Sequence, residues 1–204
     1  MRADAQGLPV TTAAAPALAR YDHGVRDLLG WGRGALDAFH EAAALDPGLG
    51  LAHAGAAVCL FLEERFAPAR DAAEVARAAV ATQTARERSH VEAVALLVGG
   101  RPAQAERQML EHLDAWPRDV VVLQRLYFVW FWQGRFPEML ELTSRVLPAY
   151  GDDSFVLGLH AFGLEQADRC REAIRAAETA MARNPQDAWA VRSEERRVGK
   201  ECRL

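Results

Sequence analysis

The sequence predicts an all-α fold, an α-solenoid of helix–turn–helix repeats that winds into a right-handed superhelix. Residue markers recur every 34 residues between residues 86 and 187, a spacing typical of helix-pair repeats. Alanine, the strongest intrinsic helix former, makes up roughly a fifth of the chain. No window shows the bounded alternation of apolar and polar residues that is typical of a half-buried strand, so no strand is expected.

Two less regular helix pairs are expected at the start of the chain, after an N-terminal arm of residues 1–12. Helical stretches run over about residues 13–29, 33–45, 49–64 and 69–83. The interruptions are Gly30-Trp31-Gly32, Asp46-Pro47-Gly48 and Phe66-Ala67-Pro68. Pro47 and Pro117 lie 70 residues apart, two more than two periods, so the repeat slips in this part of the chain.

Three regular repeats follow, because three series of markers share one period. The series are Asp119, Asp153 and Asp187; Gly100-Arg101, Gly134-Arg135 and Asp168-Arg169; and Ala105, Met139 and Ala173. Each aspartate follows a turn and can cap a helix N-terminus, and each second marker fits a tight turn between two helices. We therefore expect helix–turn–helix units at residues 86–119, 120–153 and 154–187. The remaining breaks are expected near residues 100, 117–119, 134, 151–153, 168 and 185–187.

Local signals agree with these boundaries. Thr84 and Glu87 have the spacing of a capping box ahead of a helix. The third unit matches the tetratricopeptide pattern best, with Ala161 and Ala180 at positions where helices approach closely and Pro185 at its end.

Motifs spread along the chain carry a resemblance to one family. They are Leu8-Pro9; Asp46-Pro47 with His53-Ala54; Arg86-Glu87 with His90-Val91 and Ala93-Val94; and Asn184-Pro185-x-Asp187-Ala188-Trp189-x-Val191. Over roughly residues 8–191 they resemble the tetratricopeptide repeat protein 38 family. The resemblance implies a soluble helical-repeat protein without established catalytic activity. It also implies a C-terminal truncation near Val191, since the family pattern continues into histidine-containing helices.

The last residues differ in composition from the rest of the chain. Residues 192–204 contain the only lysine, Lys200, and no alanine. We interpret them as a non-native tail that adds nothing to the core. The expected organisation is therefore an arm at 1–12, a repeat domain at 13–191 and a tail at 192–204.

Composition excludes several classes of function. The formal net charge is −4, so the chain lacks the basic surface that binds nucleic acid. No apolar window is long enough to span a membrane, and the N-terminus lacks the apolar core of a signal peptide. The three cysteines form no C-x-x-C pair, which favours a reducing compartment, and we expect a cytoplasmic protein.

No catalytic, cofactor or metal-ligating constellation is apparent. His40-Glu41 begins a zincin-like match, but the second histidine position holds Ala44. Histidines are scattered along the predicted helices, and we expect His53 and His90 to serve packing or capping. We therefore expect a non-enzymatic protein without a cofactor.

Binding is expected on the concave face, which the first helices of tetratricopeptide units line. Positions taken from three successive units give His90, Val94, Leu97, Gln124, Phe128, Phe131, Phe155, Phe162 and Glu165. The resulting hypothesis is an interaction scaffold that binds a protein, a peptide or an apolar small molecule.

Three alternatives remain open at this stage. Further helices of a longer parent chain could cover the concave face. The chain could instead be a fragment of an enzyme or metal-binding protein whose histidine site lies in the missing C-terminal part. A truncated C-terminal face would also favour self-association.

Overall fold

The computed structural model describes residues 1–151, 153–185 and 189, and these residues form an all-α solenoid of helix–turn–helix repeats. The helices are α1 (Ala15–Leu29), α2 (Ala35–Leu45), α3 (Gly50–Leu62), α4 (Phe66–Val80), α5 (Ala85–Val98), α6 (Pro102–Ala115), α7 (Val120–Trp132), α8 (Phe136–Tyr150), α9 (Ser154–Gln166) and α10 (Cys170–Arg183). None of these helices is both long and apolar enough to cross a membrane.

The N-terminal arm corrects the expectation that no strand forms. Strand β1 (Arg2–Ala3) pairs antiparallel with β2 (Pro9–Val10). The Asp4 side chain closes the hairpin by accepting hydrogen bonds from the backbone N–H groups of Gln6 and Leu8, at 3.0 and 2.8 Å. Two-residue strands are too short to produce an alternating pattern, which is why the sequence did not predict them.

The repeat is more regular than the sequence indicated. The first helices of the five pairs begin at residues 15, 50, 85, 120 and 154, so their spacings are 35, 35, 35 and 34 residues. The second helices of the last three pairs begin at residues 102, 136 and 170, both spacings being 34. The two extra residues between Pro47 and Pro117 arise because the pairs that begin with α3 and α5 each span 35 residues. Separately, the turn between α1 and α2, from Gly30 to Gly34, is two residues longer than the three-residue turns of the later pairs.

The three-residue turns share one backbone conformation. Their central residues Glu64, Gly100, Gly134 and Asp168 all have positive φ, between 59° and 73°. An arginine follows each of them, and its N–H bonds to the carbonyl oxygen five residues earlier, as Arg101 does to Leu96 at 3.0 Å. These turns are Schellman-type helix ends, which favour glycine at the left-handed position. The glycine–arginine and aspartate–arginine markers therefore predicted turns correctly.

One predicted break is wrong by three residues. Helix α4 begins at Phe66, so the break is at residues 63–65 rather than 66–68. Pro68 is the third residue of this helix, where no helical partner exists for an N–H, and proline is tolerated there. The other predicted breaks agree with the helix bounds wherever the chain is described. Asp187 and the tail at 192–204 lie outside the described residues.

The chain divides into two compact units, Met1–Leu126 and Tyr127–Leu204. In the N-terminal unit Phe39 is fully buried against Gly24 and Gly55, where an added Cβ would approach its ring to 2.8 and 2.5 Å. Glycine at both positions lets two helices close on one aromatic ring. In the C-terminal unit the Tyr127 hydroxyl donates to the carbonyl oxygen of Leu159 at 2.7 Å, which ties α7 to α9.

Candidate functional site

The structure separates the nine predicted concave-face residues into two groups. Five are buried, and four are half-buried. The buried residues are His90, Val94, Gln124, Phe162 and Glu165, and the half-buried residues are Leu97, Phe128, Phe131 and Phe155. The five buried residues offer almost no surface to a ligand. A binding role for the nine stays a prediction.

The aromatic residues of the C-terminal unit form one cluster. The Phe131 ring lies 5.6 Å from the Phe162 ring and 6.3 Å from the Phe128 ring. Trp189 packs on both Phe128 and Phe162, with each ring separation 5.4 Å. Part of the aromatic face is thus covered from within the same unit. Trp132 is 81% exposed and lies 5.3 Å from Phe131.

The N-terminal unit contains a buried polar cluster around one carboxylate oxygen, Asp119 Oδ2. Arg86 donates to it from Nε at 3.1 Å, and His90 Nδ1 lies 3.0 Å away. His112 Nε2 lies 3.2 Å from the same oxygen. All four residues are at most 3% exposed. We call Arg86, His90, His112 and Asp119 the Asp119 cluster.

Three consecutive elements bring the cluster together. Arg86 and His90 are four residues apart on α5 and therefore share a face of that helix. His112 lies in the last turn of α6, and Asp119 directly precedes α7. Because α5 and α6 are antiparallel neighbours, the start of one helix meets the end of the other.

The N-terminal arm covers the Arg86 side of the cluster. The guanidinium group donates to Asp4 Oδ2 at 3.1 Å and to the carbonyl oxygen of Pro9 at 3.0 Å. The neighbouring Glu87 accepts from the Thr11 backbone N–H at 2.7 Å and from the Thr11 hydroxyl at 2.6 Å. Glu87 also completes the predicted capping box with Thr84. Two adjacent side chains of α5 therefore hold the arm.

Outer contacts fix the orientation of His112. Its Nδ1 lies 3.0 Å from the Ser89 hydroxyl, which also accepts from the Gln108 side chain at 3.0 Å. The His112 ring contacts the Trp116 ring at 5.0 Å and the His90 ring at 6.0 Å. The imidazole is thus held with Nε2 toward Asp119.

The charges of the cluster stabilise one another. Burial alone would raise the pKa of Asp119, but His90, His112 and Arg86 hold that pKa well below its usual value. Burial lowers the pKa of His112, and Asp119 only partly offsets this effect. Asp119 is therefore ionised and His112 is neutral at neutral pH.

The sequence predicted a capping role for Asp119 and a packing or capping role for His90. It did not predict that the two side chains are in contact. A signal was present in the repeat itself. One period after Arg86 and His112, the chain has Val120 and Val146. Charged or polar residues at positions where the next repeat is apolar mark a local departure from simple core packing.

Comparison with solved structures supports the fold. The chain is similar to the crystal structure of TTC0263, a thermophilic TPR protein in Thermus thermophilus, with 18% identity, a TM-score of 0.62 and coverage of 89% of this chain and 99% of that chain. A weaker likeness is to YrrB, described as a TPR protein with an unusual peptide-binding site, with 15% identity, a TM-score of 0.49 and coverage of 88% and 92%. No protein-family model matches the chain. The protein has a tetratricopeptide-like helical repeat fold.

Proposed function

We propose that the protein is a non-enzymatic interaction scaffold that binds an apolar segment of another protein. The observation that carries the proposal is Trp132, a tryptophan 81% exposed at the end of α7. Tryptophan is enriched among the residues that dominate binding energy at interfaces, and an exposed tryptophan that continues an aromatic surface marks an interaction site. The helical-repeat fold suits this role, since stacked helix pairs present extended surfaces.

The proposed contact surface lies on the aromatic side of the C-terminal unit. Phe128 and Phe131 share a face of α7, and both are half-buried. Together with Trp132 they give an aromatic surface that an apolar side chain of a peptide can contact. Phe155 is a further half-buried aromatic residue of this unit. In the N-terminal unit, Leu97 remains a proposed contact from the predicted concave face.

Two finer proposals accompany the function. The distributed motifs, above all Asn184-Pro185 followed by Trp189, support membership of the tetratricopeptide repeat protein 38 family. We also propose that the repeat domain spans residues 13–191 between the arm at 1–12 and the non-native tail at 192–204. A cytoplasmic location fits both.

The test selects peptides from a displayed random library on the wild-type chain and measures their dissociation constants on variants. Phe128→Ser combined with Phe131→Ser, and separately Trp132→Ser, should weaken the selected peptides at least about tenfold, the loss of about 1.4 kcal/mol at a hot spot. Trp31→Ser is the matched control, because Trp31 is also exposed, at 53%, but lies in the other unit. Unchanged affinity in both aromatic variants would overturn the proposal.

Stability measurements separate binding from folding. Leu126 is fully buried, so Leu126→Ala should destabilise the protein by about 2–5 kcal/mol. Trp132→Ser should change stability by no more than about 0.5 kcal/mol. Peptide binding that falls with Trp132→Ser at unchanged stability then reports the surface itself.

The second candidate is that the chain is a fragment of an enzyme or a metal-binding protein. The buried histidines of the Asp119 cluster favour it, since imidazole and carboxylate groups meet there. The genomic reading frame beyond Val191 tests it: paired histidines on further helices would favour this candidate.

A further inference from the structure

The Asp119 cluster contains two buried nitrogen atoms that hydrogen bonding leaves unused. His90 Nε2 and His112 Nε2 have no hydrogen-bond partner among the described residues. His112 Nε2 lies 3.2 Å from Asp119 Oδ2 but outside the alignment of a hydrogen bond. Both side chains are fully buried. A buried polar atom without a partner costs about 1–3 kcal/mol, so the arrangement calls for a further group.

The spacing of the three side chains suits a metal ion. One ligand atom from each of His90, His112 and Asp119 can be chosen so that all lie within 4.8 Å of one another. An ion about 2.0–2.2 Å from each of its nitrogen and oxygen ligands keeps those ligand atoms no more than about 4.4 Å apart, and about 3.4 Å apart in a tetrahedral site. His112 Nε2, one of the two unused nitrogens, lies 3.2 Å from Asp119 Oδ2, and on the His90 ring it is Nδ1 that lies 3.0 Å from the same oxygen. Both distances fall inside that limit.

Charge also favours a cation at this place. The buried carboxylates of Asp4 and Asp119 oppose a single buried guanidinium group, that of Arg86. Two buried carboxylates against one buried guanidinium group leave an excess of negative charge, which is expensive away from water. Arg86 contacts the metal-facing carboxylate from the arm side, and Asp4 offsets the charge of that guanidinium. Such outer contacts commonly orient a metal-ligating carboxylate.

We propose that His90, His112 and Asp119 bind one divalent transition-metal ion, with zinc as the expected occupant. Two imidazoles and a carboxylate form a donor set typical of zinc, whereas magnesium and calcium prefer oxygen ligands alone. The ion joins α5, α6 and the start of α7, so its role is structural.

The hydrogen bonds behind the ligands fit this assignment. A ligating histidine commonly uses its other ring nitrogen for a hydrogen bond that fixes the ring. His112 has this arrangement, since its Nδ1 lies 3.0 Å from the Ser89 hydroxyl while Nε2 faces Asp119. The hydroxyl of Ser89 in turn accepts from Gln108. Ser89→Ala should therefore weaken metal affinity about 10-fold without abolishing it, the low end of the effects seen when a ligand's supporting hydrogen bond is removed.

The experiment titrates the metal-free full chain with Co²⁺ and Zn²⁺ after treatment with a chelator. We expect one equivalent of Co²⁺ with the visible absorption of a low-symmetry site, displacement by Zn²⁺, and a zinc-dependent rise in melting temperature. His112→Gln should lower the affinity at least about 100-fold, the scale of losing a ligand rather than its support, and remove the zinc-dependent rise. His40→Gln and His53→Gln are the controls, because these side chains are outside the cluster, and they should bind as the wild type does.

Three results would overturn the proposal: no stoichiometric uptake by the wild type, undiminished uptake by folded His112→Gln, or loss of uptake in a control variant alone. If His112→Gln does not fold, long-range ¹H–¹⁵N spectra of the wild type test whether zinc binds at these histidines. The chain has six histidines, and variants of His23, His40, His53 and His160 assign four of them. Zinc must then shift the nitrogen resonances of the remaining two histidines, His90 and His112. If these resonances do not shift, the proposed site is refuted.

Discussion

Two repeats have an aspartate at the same position, but the two side chains have different roles. Asp119 and Asp153 are one 34-residue period apart, and each immediately precedes the first helix of a pair. Asp153 is half-buried and caps α9 by accepting from the Val156 backbone N–H at 3.1 Å. Asp119 is 2% exposed, and charged or ring nitrogens of three other residues lie within 3.2 Å of one of its oxygens.

The surroundings account for this difference. Two periods after Arg86, His90 and His112, the third regular unit has Ser154, Gly158 and Ala180. A helix pair of this fold therefore forms with small residues at all three positions. The repeat fixes where a side chain is placed, and the residues around it determine whether a turn aspartate caps a helix or anchors a buried cluster. The Asp119 cluster is thus an addition to the fold and not a requirement of it.

The largest expected effect tests the two aspartates directly. Asp119→Ala removes the carboxylate that Arg86, His90 and His112 share, leaves buried Arg86 with Asp4 alone, and should lower the free energy of unfolding by about 3–5 kcal/mol. Asp153→Ala removes a helix cap and should cost about 1 kcal/mol. Urea denaturation followed by circular dichroism measures both. Equal losses in the two variants would show that Asp119 also acts as an ordinary cap.

A second prediction concerns Glu87, whose counterpart two periods later is Phe155. Burial raises the pKa of Glu87, but hydrogen bonds from Thr11 and Thr84 outweigh burial and hold the pKa below its usual value. A carboxylate with a lowered pKa stabilises the fold above its unfolded pKa, and this contribution is lost as pH falls through the folded value.

Glu87→Gln should therefore cost about 1–2 kcal/mol at pH 7, and the deficit should shrink as pH drops below about 4.5. Denaturation of wild type and variant between about pH 3 and pH 7 measures the difference across that range. Glu138→Gln is the control, since Glu138 lies in the other unit and pairs with Arg135 at the surface. A deficit independent of pH would mean that the carboxylate charge of Glu87 is not what holds the arm.

A third prediction compares equivalent turns of the two units. Gly100 has φ of 73° and an added Cβ would meet no atom within 4 Å, so Gly100→Ala should cost about 1 kcal/mol through the backbone alone. Asp168 occupies the same position with φ of 59°, and Asp168→Gly should stabilise by up to about 1 kcal/mol. Thermal unfolding of both variants checks the signs. Stabilisation by Gly100→Ala would contradict the assigned turn conformation.

The smallest expected effect is at the C-terminus. Deleting residues 193–204 should leave the melting temperature unchanged within error, because nothing in that segment continues the apolar pattern of the repeats. Differential scanning calorimetry of the shortened and complete chains makes the comparison. A clear loss of stability would identify the segment as a genuine cap of the last repeat.

Local signals predicted most of the fold. Glycine, proline and aspartate in the turns located the helix pairs, and Thr84 with Glu87 correctly predicted a capping box. The left-handed turn at Glu64 was missed, since glutamate carries no signal for positive φ. The start of α4 was placed too late, because proline reads as a breaker although it is tolerated in a first helical turn.

The candidate sites were less predictable, because they depend on which side chains meet across helices. The repeat positions placed Phe162 and Glu165 on a face, but not how deeply neighbouring helices would bury them. Trp189 was noticed as part of a motif, whereas its packing on Phe128 follows only from the tertiary arrangement. His112 was read as a lone histidine, and its meeting with Asp119 requires the end of α6 to turn back beside α5.

The docked N-terminal arm has a consequence for synthesis of the chain. Asp4 and Thr11 are made before their partners Arg86 and Glu87, which lie 82 and 76 residues later in the sequence. At about 5–20 residues per second, a nascent arm waits roughly 4–16 seconds for these partners to be polymerised. During that interval the helix pairs α1–α2 and α3–α4 can form from local contacts, so the arm is made before these helices and yet reaches its place after them.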